Sequence, residues 1–153
     1  ESIARNIAVD DGDIDKERMV KAAEIACIKD YVMSLPLKFD TKIGRDGMGL
    51  SQGQKQRILI ARAVYKNPHY IFLDEATNSL DANNERAIVE NLSRFYKGRT
   101  VVIVAHRLST VRHADNIVVI DGGHVAETGT HEQLTEKRGM YYRLVKNQLE
   151  LGN

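Results

Sequence analysis

The chain has 153 residues, 42% hydrophobic and 28% charged, which fits a folded globular domain with one modest core and excludes a disordered chain. Lys and Arg total 22 against 21 Asp and Glu, a net charge of +1, so nothing in the balance marks a nucleic-acid binder. The single Cys27 excludes an intrachain disulfide and fits a reducing compartment, no Cys/His pair has zinc spacing, and the longest apolar runs fall far short of the ~20 residues of a membrane helix.

Residue 1 is Glu instead of Met, which points to a piece of a longer protein. In chain order, Asp15 is the natural N-cap of a helix over residues 16–27, with Met19, Val20, Ala22, Ala23 and Ala26 as its apolar stripe. Lys29 to Leu35 makes a second, short helix that stops before Pro36. The stretch 36–50 gathers Pro36, Gly44, Asp46, Gly47 and Gly49 and reads as a loop. Ser51 caps a long helix in which Ile58, Ala61, Val64 and Tyr65 recur at helical spacing, while Lys55, Gln56, Arg62 and Lys66 face water. Asn67-Pro68 ends it.

Tyr70 to Leu73 then fits a strand buried on both faces of a parallel sheet. Ala82 to Lys97 is helical, with Ile88, Val89, Leu92 and Phe95 inward and Gly98 as its stop. Thr100 to Val104 and Ile117 to Ile120 are two more buried strands. Asp121-Gly122-Gly123-His124 turns into Val125 to Thr128, and two short helices follow over 131–137 and 139–148. The strand–helix–strand alternation after Pro68 predicts a parallel α/β sheet, with the helical first half as a separate lobe.

The residues with chemical promise fall at the ends of these elements. Asp74-Glu75 puts two carboxylates at the carboxyl end of a strand, where α/β proteins place their ligands. One acid can hold Mg²⁺ while its neighbour orients a water for phosphoryl transfer; the same pair also reads as a cap of the next helix. Leu50-Ser51-Gln52-Gly53-Gln54 opens the long helix with free backbone N–H groups, a setting for an anion or for an ordinary Ser cap. His106, just past the second strand, stands near those carboxylates if the strands are neighbours, or is simply a surface residue. Gly44 to Ser51 has the spacing of G-x-x-x-x-G-K-[ST], but Leu50 stands where Lys must be and no strand precedes it, so it is not a P-loop; no other stretch matches.

In order and spacing these pieces resemble the nucleotide-binding domain of an ATP-binding cassette (ABC) transporter, over essentially the whole chain. Leu50 to Arg57 resembles the signature motif, usually LSGGQ, with Gln52 at its variable third place. Ile71 to Thr77 resembles the Walker B strand with its glutamate, Ser79-Leu80-Asp81 the D-loop, and Ala105 to Thr110 the switch-histidine loop. His-Arg-Leu-Ser-Thr at 106–110 and Thr-His-Glu-Gln-Leu at 130–134 are similar to the exporter branch, and the signature wording to bacterial peptide or bacteriocin exporters, some of which carry a peptidase domain.

The resemblance implies a partial P-loop NTPase sheet of α/β class: a helical signature subdomain over 1–66 and the C-terminal part of a RecA-like core over 67–153. It implies ATP and Mg²⁺ as cofactors, Asp74 as metal ligand, Glu75 and His106 as catalytic groups, and Ser51, Gln52, Gly53, Gln54 and Asp81 at the nucleotide or subunit contact. The implied function is ATP hydrolysis that powers export, at the cytoplasmic face of a membrane and specifically a bacterial inner membrane. The implied partners are a second nucleotide-binding domain, head to tail, and a membrane domain fused upstream. Two departures stand out. The family's P-loop, adenine-stacking aromatic and Q-loop precede the segment that Ser2 to Ile7 resembles, so this chain alone is expected to be inactive. Arg45 also stands where the loop before the signature usually has Glu. The rival readings are a non-transport ABC ATPase of DNA repair, which calls for long coiled coils or zinc insertions, and a non-catalytic interaction module.

Overall fold

A computed structural model describes residues 1–9, 12–44, 47–74, 82–104 and 111–150. The chain divides into two compact units, Glu1–Val102 and Ile103–Asn153.

The first unit is built on helices α1 (Ile3–Ile7), α2 (Lys16–Ile25), α3 (Lys29–Ser34), α4 (Gln52–Lys66) and α5 (Ala82–Phe95), with a 3₁₀ turn at Lys38–Asp40. Asp15 caps α2 as the sequence predicts: its carboxylate accepts from the Arg18 N–H at 3.0 Å. Small side chains on α2, Ala22 and Ala23, are buried together with Ile58, Ala61, Val64 and Tyr65 of α4 and Ile3 and Ile7 of α1. Their size lets the helix backbones approach closely. Helix α4 ends at Asn67, whose left-handed φ of 51° turns the chain out of the helix.

Two side chains differ from the expected pattern. Arg62 does not face water: its Nε donates to the Asn6 carbonyl at 2.7 Å, because a carbonyl at the end of α1 needs a donor from outside its own helix. Val89 is exposed while Ile88 and Leu92 are buried, because residues one apart on a helix lie about 100° apart and only one faces the core.

The described residues of the loop before α4 are also tied down by backbone hydrogen bonds. The Ile3 N–H donates to the Thr41 carbonyl and the Ile43 N–H to the Glu1 carbonyl, so the chain start pairs with this loop as an antiparallel bridge, Ser2 against Lys42. Gly47 is obligatory there, since a Cβ would stand 2.4 Å from the Lys42 carbonyl oxygen. Gly47→Ala is expected to cost about 1–3 kcal/mol, the usual price of overpacking, read as a lower urea midpoint with an unchanged m-value.

Strands β1 (Tyr70–Asp74) and β2 (Thr100–Val104) are hydrogen-bonded neighbours. The Thr100 N–H donates to the His69 carbonyl at 3.0 Å, which sets the two strand starts side by side and makes the pair parallel, with α5 as the crossover. The expectation of strands buried on both faces is not met. Ile71 is buried, but Tyr70 and Phe72 are 69% and 77% exposed, and β2 exposes Val102 and Val104. Side chains alternate across a strand, so Ile71 marks the covered face of β1, whereas β2 has no buried residue: Ile103, on the face opposite Val102 and Val104, is exposed as well.

The second unit holds β3 (Ile117–Asp121), β4 (His124–Gly129), α6 (His131–Lys137) and α7 (Met140–Glu150). Within this unit β3 pairs with β4 as an antiparallel hairpin. Gly122 and Gly123, at φ 54° and 79°, make the two-residue turn that matches the strand twist. Ile117 and Val119 face inward onto Leu134, Tyr141 and Val145. Glu127 is 8% exposed and earns its place by accepting the Tyr141 N–H at 2.8 Å, at the start of α7. Gly139 leaves room for it: a Cβ there would meet the Glu127 carboxylate and force that side chain to shift. Among the described residues no helix is long and apolar enough to cross a membrane.

Candidate functional site

The clearest candidate is the N-terminus of α4. Ser51 stands in extended conformation with φ −63° and ψ 161°, and its Oγ accepts from the Gln54 N–H at 3.2 Å. The Gln54 side chain returns to the Ser51 N–H at 2.8 Å, closing a capping box. Both side chains therefore serve the helix end itself. The first-turn N–H groups of Gln52 and Gly53 stay outside the intrahelical ladder and carry the positive end of a 15-residue helix dipole. Such a turn suits a phosphate oxygen better than a neutral group, because aligned N–H dipoles favour negative charge.

The second candidate is the carboxyl end of β1. Asp74 is its last residue and is exposed. Because β1 and β2 run parallel, the chain leaves both strands on the same side of the pair, the side where α/β proteins bind ligands. Glu75, Asp81 and His106 lie outside the described residues. The structure thus brings Ser51, Gln52, Gly53 and Gln54 together on one helical turn and sets Asp74 at a strand end.

Sequence reasoning gave Arg57 no role beyond its place in the signature run and passed over Asn91. Arg57 Nη1 donates to the Cys27 carbonyl at 2.9 Å, and Asn91 Nδ2 lies 3.3 Å from the Ile25 carbonyl. The one available signal was Arg57 standing four residues after Gly53, one helical turn below the cap. Cys27 is no nucleophile candidate, since burial pushes its thiol up and keeps it protonated.

The family model described as ABC transporter matches residues 2–78. The chain belongs to the ABC transporter family. Among relatives of this ABC transporter chain, ATP-binding cassette sub-family B member 5 of Homo sapiens is 47% identical over 147 residues, covering 96% of this chain and 12% of that protein. The toxin RTX-III translocation ATP-binding protein of Actinobacillus pleuropneumoniae is 47% identical over 150 residues, covering 97% of this chain and 21% of that protein. The chain therefore spans between about an eighth and a fifth of the length of these two relatives. A solved bacterial Atm1-family ABC exporter with ATP bound superposes with a TM-score of 0.89 at 38% identity, over 97% of this chain and 26% of the other. The expected fold class stands: a mixed α/β chain with a small parallel sheet, matching part of an ABC exporter.

Proposed function

We propose that this chain is the signature lobe, 1–66, and the latter part of the catalytic core, 67–153, of the ATP-hydrolysing subunit of an ABC exporter. The capped turn at Ser51 carries the reading, on a chain that matches an ATP-bound exporter along 97% of its length. A composite site fits these residues. From one subunit, Asp74 would hold Mg²⁺, Glu75 would take the proton of the attacking water and His106 would contact the γ-phosphate. From a second copy, head to tail, Ser51, capped by Gln54, and the open N–H groups of Gln52 and Gly53 close on the same phosphate. Asp81 lies at the subunit contact.

Asp74 fits the metal, since Mg²⁺ commonly takes one or two protein carboxylates and completes its shell with phosphate oxygens and water. Held there, the metal would supply neutralisation of charge on the transferring phosphate. Charge on that phosphate is balanced only when both halves meet, so assembly gates the chemistry. A membrane domain on the same polypeptide receives the loop at 41–49, with the ATPase at the cytoplasmic face.

The test is Mg²⁺-dependent ATP hydrolysis by the complete exporter polypeptide in vesicles; its absence overturns the reading. The 153-residue chain alone is expected to show none, because no segment in it matches the P-loop pattern that cradles the β- and γ-phosphates. Turnover by the purified chain would show that phosphate is held in some other way.

A further inference from the structure

Basic side chains of α4 reach back across the helical unit. Arg62 meets the Asn6 carbonyl, Lys66 the Val9 carbonyl and Arg57 the Cys27 carbonyl. Arg57 differs from the other two in its position. It lies one turn below Gly53, and its Nε is 3.4 Å from the Gly53 carbonyl, while Nη1 is 2.9 Å from that of Cys27. One guanidinium thus spans the first turn of α4 and the end of α2.

The end of α2 calls for outside donors. Cys27 has a left-handed φ of 52°, which takes its carbonyl off the α2 ladder. Asn91 of α5 holds the same end from the other side, with Nδ2 3.3 Å from the Ile25 carbonyl and 3.5 Å from Cys27 Sγ. Helices α4 and α5 are therefore both fastened to one three-residue segment, Ile25 to Cys27.

We propose that Arg57 is a positioning residue for phosphate binding: anchored on the Cys27 carbonyl, it fixes the direction in which the first-turn N–H groups of α4 point. The proposal rests on the reading of Ser51 to Gln54 as a phosphate-binding turn. The guanidinium is planar and presents its donors in fixed directions, so it holds two carbonyls on two helices in one geometry. A lysine keeps the charge but not the fork. Orientation of this kind matters steeply, since misplacing a reacting group by ~1 Å can cost about 100-fold in rate.

The experiment compares wild type, Arg57→Lys and Arg57→Ala in the complete exporter polypeptide, measuring kcat, KM for ATP and the unfolding temperature. Arg57→Lys is expected to lower kcat by about 10-fold or more with KM within about twofold and the unfolding temperature unchanged. Arg57→Ala is expected to lower both kcat and the unfolding temperature. An Arg57→Lys protein with kcat within about twofold of wild type overturns the proposal, as does a loss of kcat that only follows the loss of thermal stability. If Arg57→Lys does not fold, Asn91→Ala reads the same anchor from α5: a kcat lowered about threefold at wild-type unfolding temperature supports the proposal, and an unchanged kcat counts against it. An inactive wild-type exporter sinks the ATPase reading and this proposal together, whereas an active wild type with an unaffected Arg57→Lys sinks this proposal alone.

Discussion

Glu75→Gln in the complete exporter is expected to bind ATP and close on it, yet to turn over at least about 100-fold more slowly than wild type. The amide has nearly the shape of the carboxylate, so the change removes a proton acceptor and one negative charge and little else. Binding does not need that acceptor. Losing a negative charge beside the γ-phosphate favours the bound state, so the ATP-loaded dimer accumulates. Steady-state phosphate release and an ATP-dependent mass increase by light scattering read the two effects separately. Wild-type turnover would remove Glu75 as the base and leave Asp74 as the only assigned acid in the motif. Loss of ATP binding together with turnover would assign Glu75 to the binding of ATP or of its metal instead of to proton transfer.

Tyr65→Ala should produce the largest loss of stability in the helical unit, about 3–5 kcal/mol, by emptying a large fully buried site. The side chain is 1% exposed and anchors three features at once. Its hydroxyl accepts the Asp15 N–H at 3.1 Å, the Arg18 guanidinium lies 4.1 Å over its ring, and Arg18 Nε donates to its carbonyl at 2.6 Å. Tyr65→Phe keeps the ring and deletes only the hydroxyl, so it should cost about 1 kcal/mol. The ratio of the two separates packing from hydrogen bonding, and urea denaturation of each variant measures it. Equal losses would mean that the polar contact to the start of α2 matters more than the ring.

The helical elements were legible because their signals are local. Asp15 and Ser51 each carry a side-chain oxygen that reaches an N–H within three residues, and the apolar positions of α4 keep the helical period. The Gly122-Gly123 turn is equally local, since only residues free to take positive φ fit a two-residue hairpin. The capped turn at Ser51 follows from the same local geometry, so the backbone of that half of the candidate site could be read directly. Arg62 and Val89 were misplaced for the opposite reason. Their partners, or the lack of them, depend on which helix lies alongside, and Asn6 is 56 residues away from Arg62 in the chain.

The sequence by itself determined the helix starts and stops, the hairpin turn and the ordered run of motifs that marks the family. The helix ends and the turn are fixed by residues within a few positions of one another, through hydrogen bonds and backbone torsions that need no distant partner, and each motif is itself a short run. Only the tertiary structure decided what covers each strand and what holds each helix. The run Tyr70 to Leu73 reads as a core strand on composition alone, yet Phe72 is open because strand burial is set by the layers packed on the sheet. Arg57 likewise reads as part of a motif. Its anchor on Cys27 comes from a left-handed helix end 30 residues earlier, whose carbonyl needs a donor that only folding brings within reach.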